Sequence, residues 1–273
     1  TYIHNTTADI STPLDGITVD PASNFIFRGS SSITPAISTS GRTFGNLTFE
    51  STSGTYSVAP SGTGTLTVNG NFTLGSGVTL NISQTGVMTF AGNFTDNGTI
   101  NNDTGTQVYT FTGVNKSIGG STVTLGFETW NIASGASISL TRDVKIALGF
   151  TGTVDGTLLC ESFNVGGNGD FTLSSGATLG IGAGTGISSL AGNIQVNGSR
   201  AFSTGANYLY NGASNQNTGN NLPSTVNTLT FANALSGAAV LLESDVTATN
   251  GVTVSSGVLH GASNSTRTIT GTL

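Results

Sequence analysis

The sequence predicts an all-β protein, a parallel β-helix (β-solenoid) built from three imperfect modules. Three observations predict this fold. Apolar and polar residues alternate over short segments, three sequence blocks recur in a fixed order, and the middle copy carries an insertion at one place. An insertion of this kind fits one added rung, meaning one circuit of the chain around the core.

The alternation is clearest in residues 65–68, 71–74 and 78–82, which read TLTV, NFTL and VTLNI. Apolar side chains at every second position are typical of a strand with one buried face. Gly, Asn and Ser separate these segments every few residues, and no segment of about 11 residues keeps a helical period of 3.6 with capping residues. The pattern therefore indicates short strands joined by tight corners.

Three blocks recur along the chain. The first begins at Phe27, Phe111 and Tyr210, the second contains Leu47, Trp130 and Leu229, and the third begins at Phe72, Phe171 and Val252. Successive copies of the first block begin 84 residues apart (27 to 111) and then 99 residues apart (111 to 210). The middle copy is longer because it has about 16 extra residues within 141–169. We therefore expect an N-terminal arm and first strand (1–23), module 1 (24–106), module 2 with about one inserted rung (107–205), and a truncated module 3 (206–273).

Tandem β-sandwich modules are the alternative fold, because 84 residues suit an Ig-like domain of about seven strands. The sequence has 5 Pro and 1 Trp, which is few for such modules. An added strand also disturbs a closed sandwich, whereas a solenoid of about 20 residues per rung accepts an added rung. The β-solenoid is therefore favoured.

Composition limits the possible functions. Charged residues make up 7 % of the 273 residues, against roughly 25 % in an average soluble domain. The formal net charge is −6 with only 7 Lys and Arg, which argues against binding nucleic acid or an anionic membrane. Cys160 is the single cysteine, so neither an intrachain disulfide nor a thiolate metal cluster is expected. Abundant Thr and Asn with little Lys and Glu favour an extracellular or cell-surface location.

Residues 208–231 read YLYNGASNQNTGNNLPSTVNTLTF and carry a specific resemblance. This run resembles the repeat of secreted β-strand-repeat surface proteins of Bacteroidota, and the likeness extends over most of residues 24–273. The resemblance implies an adhesin-like extracellular array with a β-solenoid architecture. Its motifs are structural and imply no particular chemistry.

Residue types that carry catalytic or metal chemistry are few and scattered. His4 and His260 stand alone, and no pair of His or Cys has the spacing of a zinc site. Asp143, Lys145, Asp155 and Glu161 lie in or beside the inserted region and could meet on one face, although solvated surface residues explain them better. Residues 93–103 (NFTDNGTINND) lack the ligand spacing of a calcium loop and indicate a turn. No cofactor or metal site is expected.

Threonine pairs of the form Thr-x-Thr occur at several places, among them Thr247 with Thr249 and Thr268 with Thr270. Such pairs form ice-binding faces only when they stack on successive rungs. Here they are spread through the modules, and strand propensity explains them.

The function that we expect is that of a non-enzymatic extracellular structural protein, a β-solenoid subunit that forms a filament or part of a surface array. The alternative is a carbohydrate-binding adhesin, in which Tyr109 and Tyr208 would stack on sugar rings while Phe111 and Tyr210 pack in the core. The third hypothesis is a polysaccharide lyase or hydrolase, which requires paired carboxylates in a groove.

The two ends of the sequence match the repeat in phase. Residues 15–19 resemble the strand that would follow residue 273 in a further module. We therefore expect head-to-tail self-association, in which Ile269 and Leu273 of one chain pack against Ile10 and Ile17 of the next. The N-terminal arm, residues 1–11, is expected to lie over the neighbouring chain.

Overall fold

The computed structural model describes residues 1–5, 20, 22–30, 36–38, 41–102, 107–121, 125–188, 191–235, 237–261 and 267–272. The described residues form 33 β-strands and no helix. The chain divides into two compact units, Thr1–Asn131 and Ile132–Leu273. Every strand pair within each unit is parallel, and each strand pairs with a strand of the preceding or following rung, so each unit is a parallel β-solenoid as predicted.

The first unit has three sheets, in which neighbouring strands are hydrogen-bonded. Sheet A contains, in order, β1 (Tyr2–Asn5), β2 (Asn24–Gly29), β5 (Asn46–Ser51), β8 (Phe72–Leu74), β11 (Phe94–Asp96) and β14 (Lys116–Gly119). Sheet B contains β4 (Thr43–Phe44), β7 (Leu66–Val68), β10 (Val87–Phe90) and β13 (Val108–Phe111). Sheet C contains β3 (Ala36–Ser38), β6 (Tyr56–Gly62), β9 (Val78–Gln84) and β12 (Thr99–Asn102). Two further strands follow, β15 (Leu125–Phe127) and β16 (Thr129–Ile132), the second of which ends at the first residue of the second unit.

The second unit has one long sheet and four shorter ones. Sheet D contains β17 (Ser137–Leu140), β20 (Thr157–Leu159), β23 (Thr178–Ile181), β25 (Asn207–Tyr210), β28 (Thr228–Ala232) and β31 (Val252–Ser256). Sheet E contains β19 (Thr151–Val154), β22 (Asp170–Leu173) and β24 (Arg200–Phe202), and sheet F contains β18 (Val144–Ile146) and β21 (Val165–Gly167). Sheet G contains β26 (Gln216–Asn217), β29 (Ala239–Leu242) and β32 (Val258–Gly261), and sheet H contains β27 (Thr225–Val226), β30 (Val246–Ala248) and β33 (Ile269–Thr270).

The register of sheet A gives the length of a rung. Phe25 pairs with Leu47, Leu47 with Phe72, Phe72 with Phe94, and Phe94 with Ile118, so each of these steps is one rung. The rungs are slightly longer than the roughly 20 residues that we expected, because three strands and three corners must fit into each circuit. Since rung length changes little from one step to the next, equivalent side chains stack in columns along the solenoid axis.

The core of the first unit is a column of aromatic rings. The rings of Phe72 and Phe94 stack with centroids 4.7 Å apart, and those of Phe27 and Phe49 stack at 5.2 Å. Phe90 lies edge-on to Phe94 at 5.0 Å. Offset and edge-on contacts of this kind add to the hydrophobic stabilisation from burial of the rings. The alternation of apolar and polar residues therefore corresponds to side chains inside and outside the solenoid.

The sequence repeat does not correspond to a whole number of rungs. In the first unit, Phe27 lies on β2 of sheet A, whereas its sequence equivalent Phe111 lies on β13 of sheet B. In the second unit, Phe171 lies on sheet E and its equivalent Val252 lies on sheet D. In each of these two pairs the equivalent residues are both buried but lie on different sheets.

The inserted region, residues 141–169, forms part of two consecutive rungs. Asp155 N donates to Ile132 O at 2.9 Å, which places the end of β19 one rung after Ile132. Val154 in turn pairs with Leu173 on β22. Two rungs thus separate residues 132 and 173, whereas one rung separates Phe49 from Leu74 in the first unit.

Candidate functional site

The tyrosines predicted to stack on sugars face the core. Tyr109 is 1 % exposed and Tyr208 is 0 % exposed. The ring of Tyr109 lies 4.9 Å from that of Phe127, and the Tyr208 hydroxyl donates to the carbonyl of Ser203 at 2.8 Å. The hypothesis that these two rings form an exposed glycan platform is therefore wrong, because both occupy inward positions of their strands.

Phe111 and Tyr210 belong to the core, as predicted. Both are fully buried, and their rings pack against Phe90 at 5.8 Å and Phe231 at 5.7 Å respectively. The Tyr210 hydroxyl donates to the carbonyl of Thr218 at 2.6 Å. Burial raises the pKa of Tyr210 well above its usual value, and the neighbouring Tyr208 and Glu243 raise it further.

Two buried carboxyl groups lie near Tyr109 inside the first unit. Glu128 Oε2 accepts a hydrogen bond from Gln107 N at 2.7 Å, and Asp96 Oδ1 accepts one from Gly98 N at 2.9 Å. Burial raises the pKa of Tyr109, and the charges of Glu128 and Asp96 raise it further. This polar cluster is closed to solvent, so its groups hold backbone amides and do not face a substrate.

Two of the three carboxylates of the inserted region, those of Asp143 and Asp155, have structural partners. Asp143 Oδ1 accepts from Asn164 N at 2.8 Å, and Asp155 Oδ1 accepts from Ser174 Oγ at 2.5 Å. Asp143 precedes β18 of sheet F and Asp155 follows β19 of sheet E, so the two acids lie at different corners. Each one joins its own rung to the next.

Asp170 and Asp245 make the same kind of connection. Asp170 Oδ1 accepts from Ser199 N at 2.6 Å, and Asp245 Oδ1 accepts from Thr268 N at 2.9 Å. Four acids of the second unit thus bind a donor about one rung further along. Sequence analysis missed this role, since scattered acids carry no motif that distinguishes a connector from a solvated residue.

Asn93, the first residue of the segment 93–103, also connects two rungs by a hydrogen bond. Asn93 Oδ1 accepts from Ser117 N at 3.0 Å, while Asp103 lies outside the described residues. Among the residues that the structure describes, no group of three or more His, Cys, Asp and Glu side chains is placed to hold a metal ion.

Asparagines form a ladder at one corner of the first unit, and sequence analysis did not find it. Asn46 Nδ2 donates to Asn24 Oδ1 at 2.9 Å, Asn71 N donates to Asn46 Oδ1 at 2.7 Å, and Asn93 N donates to Asn71 Oδ1 at 2.9 Å. The sequence pattern that could have predicted the ladder is an Asn directly before the first buried residue of β2, β5, β8 and β11. A ladder of this kind satisfies corner amides that no strand partner reaches.

A polar groove of about 450 Å³ opens on sheet H of the second unit. Hydroxyl groups and one carboxylate line it, from residues Ser224, Thr225, Asp245, Thr247, Thr268 and Thr270. Thr225 pairs with Thr247, and Thr247 pairs with Thr270, so three threonines stack in one column on successive rungs. The register therefore aligns equivalent hydroxyls along this open polar surface.

The residues predicted for self-association are only partly described. Ile269 is half-buried on β33, whereas Ile10, Ile17 and Leu273 lie outside the described residues. Tyr2–Asn5 pairs in parallel with β2 of its own chain, so this part of the expected arm forms a strand of sheet A. His260 is exposed on β32, in agreement with a less buried position.

Comparisons with protein-family models, curated proteins and solved structures found no match. The resemblance to surface proteins of Bacteroidota therefore stays a prediction, and the solenoid fold is what the structure supports. Within the described part of the chain, no helix is long and apolar enough to cross a membrane.

Proposed function

We propose that this chain is a non-enzymatic extracellular structural protein, a β-solenoid segment that works by providing a stiff, continuous scaffold. The observation that best supports this proposal is the use of polar side chains as connectors between rungs. Asp143, Asp155, Asp170 and Asp245 each bind a donor on a following rung. Side chains engaged in this way connect consecutive rungs and stabilise the scaffold.

A second observation supports a structural role. The inward positions hold aromatic and aliphatic side chains in stacked columns, as with Phe72 on Phe94 and Tyr210 on Phe231. Parallel pairing satisfies the backbone along the axis, so each rung supports its neighbours. A surface poor in charge and rich in Thr, Asn and Ser suits the extracellular or cell-surface location that we propose.

The experiment that tests the proposal has two parts. Antibodies against residues 41–102 should label intact, unpermeabilised cells of the native host, and the purified chain should release no soluble product from pectin, xylan, alginate or chitin. Labelling only after permeabilisation would contradict the location. Release of oligosaccharides that survives repurification of the chain would contradict the non-enzymatic role.

Head-to-tail assembly is the second candidate function. It is favoured by exposed apolar residues on β1 of sheet A and on β31 of sheet D. Val254 on β31 is 41 % exposed although it pairs with Phe231, which is 1 % exposed. On β1, Tyr2 is 39 % exposed and its ring lies 5.8 Å from that of Phe25. A rung added at either place would cover an apolar surface, which is the main favourable term in association.

Sedimentation velocity over a concentration series tests this assembly. The wild type should form larger species as concentration rises, and Val254→Lys should remain monomeric. Leu235→Lys is the matched control, because Leu235 is also apolar and 53 % exposed but lies in a corner between β28 and β29. A wild type that is monomeric at every concentration, or equal effects of both variants, would contradict assembly through these strands.

A further inference from the structure

We propose that the groove on sheet H binds an extended β-linked polysaccharide whose chain runs along the solenoid axis. The inference rests on the proposed non-catalytic extracellular role, which it deepens by naming a ligand class. It is carried by the column Thr225, Thr247 and Thr270, by the carboxylate of Asp245, and by the open space of about 450 Å³ that these residues line.

The size and lining of the groove suit a neutral polyhydroxyl ligand. Ligand sites in proteins are concave and usually measure about 300–1,000 Å³. A hydroxyl group both donates and accepts hydrogen bonds, so a row of threonines can match the hydroxyls of a sugar without burying an unpaired charge. Among the described residues that line the groove none is cationic, which disfavours anionic ligands.

The spacing of the hydroxyls favours a regular chain over a small ligand. Neighbouring rungs lie about 4.8 Å apart, so Thr225, Thr247 and Thr270 present equivalent hydroxyls at this interval. This interval is close to the length of one pyranose ring in an extended β-linked glycan. Each successive sugar residue would therefore lie beside one threonine hydroxyl of the column.

The carboxylate of Asp245 provides the strongest single contact. Oδ1 accepts the hydrogen bond from Thr268 N at 2.9 Å, which fixes the orientation of the carboxylate at the edge of the groove. Asp245 is exposed and lines the groove, so its carboxylate can also accept from a sugar hydroxyl. Hydrogen bonds to a charged group are stronger than those between neutral groups.

Isothermal titration calorimetry with cellohexaose, xylohexaose and chitohexaose tests the inference. The wild type should bind at least one of the three. Asp245→Asn should weaken that binding about tenfold or more, because it replaces a charged acceptor by a neutral amide. Thr247→Val should weaken it about fivefold, because it removes the hydroxyl and its hydrogen bond. Thr247→Ser, which keeps the hydroxyl, should bind like the wild type.

Thr89→Val is the matched control. Thr89 lies in a comparable threonine column on sheet B, between Thr67 and Thr110, and does not line the groove. No binding of any of the three hexasaccharides, or equal losses in Thr89→Val and Thr247→Val, would overturn the inference. Chromatography of the probes after titration separates the two proposals, since binding with cleavage would contradict the non-enzymatic role and leave the groove assignment standing.

Discussion

Asn46 Nδ2 donates a hydrogen bond of 2.9 Å to Asn24 Oδ1 on the preceding rung of sheet A. The same corner continues through Asn71 and Asn93, whose backbone amides donate to the side-chain oxygen one rung before. The side-chain oxygens of Asn46 and Asn71 thus each accept a backbone amide of the following rung, whereas that of Asn24 accepts the side-chain amide of Asn46. The column of asparagine side chains therefore stabilises the solenoid in addition to the apolar core.

Replacing one member of the ladder should destabilise the protein measurably. Asn71→Ala removes the acceptor of Asn93 N and should lower the free energy of unfolding by about 1 kcal/mol. Urea unfolding followed by circular dichroism measures this loss. Asn69→Ala is the control, because Asn69 is exposed two residues away, and it should change stability by less than about 0.5 kcal/mol. Equal losses in both variants would contradict the role of the ladder.

The aromatic column should be far more sensitive. Phe94 is 1 % exposed and contacts the rings of Phe72, Phe90, Phe111 and Phe127. We expect Phe94→Ala to cost about 3–5 kcal/mol, because it leaves a cavity that rigid neighbouring strands cannot fill. Chemical unfolding gives the value.

Phe94→Leu should cost clearly less than Phe94→Ala, since it restores most of the lost volume. The surface control for this position is Val114→Ala, whose side chain is largely exposed and whose stability should be nearly unchanged. A loss below about 1 kcal/mol for Phe94→Ala would show that the column is not packed as described.

Stability should fall at alkaline pH because buried tyrosines resist ionisation. Burial raises the pKa of Tyr56 to about 12, whereas an exposed tyrosine in the unfolded chain has a pKa of about 10. Between these values the unfolded state binds fewer protons than the folded state, so stability falls as pH rises. Tyr56 alone contributes about 1.4 kcal/mol per pH unit in this window.

Tyr56→Phe isolates this contribution. Between pH 10 and 12 the stability of this variant should fall less steeply with pH than that of the wild type. The difference between the two slopes should correspond to about one proton. Denaturant unfolding at several pH values measures both slopes. Parallel curves for the two proteins would show that Tyr56 ionises equally in both states.

Position 120 requires glycine for two reasons, a positive φ and the lack of room for a Cβ atom. Gly120 has φ of +128°, and a Cβ at this position would collide with the carbonyl oxygen of Asp96 on the preceding rung. We expect Gly120→Ala to destabilise the protein by more than about 1 kcal/mol. Gly126→Ala is the matched control, because a Cβ there meets nothing within 4 Å. Thermal unfolding compares the two, and an unaffected Gly120→Ala would contradict the corner geometry.

The sequence was sufficient to predict strands, parallel stacking and the inward place of Phe111 and Tyr210, because alternation reports which side chains share a face. By the same alternation Tyr109 shares a face with Phe111, and Tyr208 shares a face with Tyr210, so the exposed role predicted for Tyr109 and Tyr208 conflicted with the pattern. In the structure their hydroxyls lie within the protein, and that of Tyr208 has a backbone carbonyl as its partner.

The length of the rungs explains why Phe27 and its sequence equivalent Phe111 lie on different sheets. The register that starts at Phe27 passes through Phe49 and Leu74 and reaches Asp96 after three rungs. One rung further along, β11 pairs with β14, which lies beyond Phe111 in the chain. The interval from Phe27 to Phe111 is therefore not a whole number of rungs, and only the paired register reveals this.

Strand propensity explains the frequency of the threonine pairs but not their stacking on sheet H. Only the register shows that Thr247 and Thr270 stack in one column, because the corners between them differ in length from rung to rung. A sequence pattern reports the face of a strand but not its partner on the next rung. The groove on sheet H could therefore not be predicted from the sequence.

Oxidative cross-linking of paired cysteines tests the parallel solenoid most directly. Thr67 and Thr89 are register partners on adjacent rungs, so their Cα atoms lie about 4.8 Å apart, within the range of a disulfide. The double variant Thr67→Cys/Thr89→Cys should form an intramolecular disulfide under mild oxidation, detected by mass spectrometry, while Cys160 stays buried and unreacted. Thr67→Cys/Thr79→Cys, which places the thiols on sheets B and C, should not. Cross-linking of the control pair without that of Thr67 and Thr89 would contradict the parallel β-solenoid.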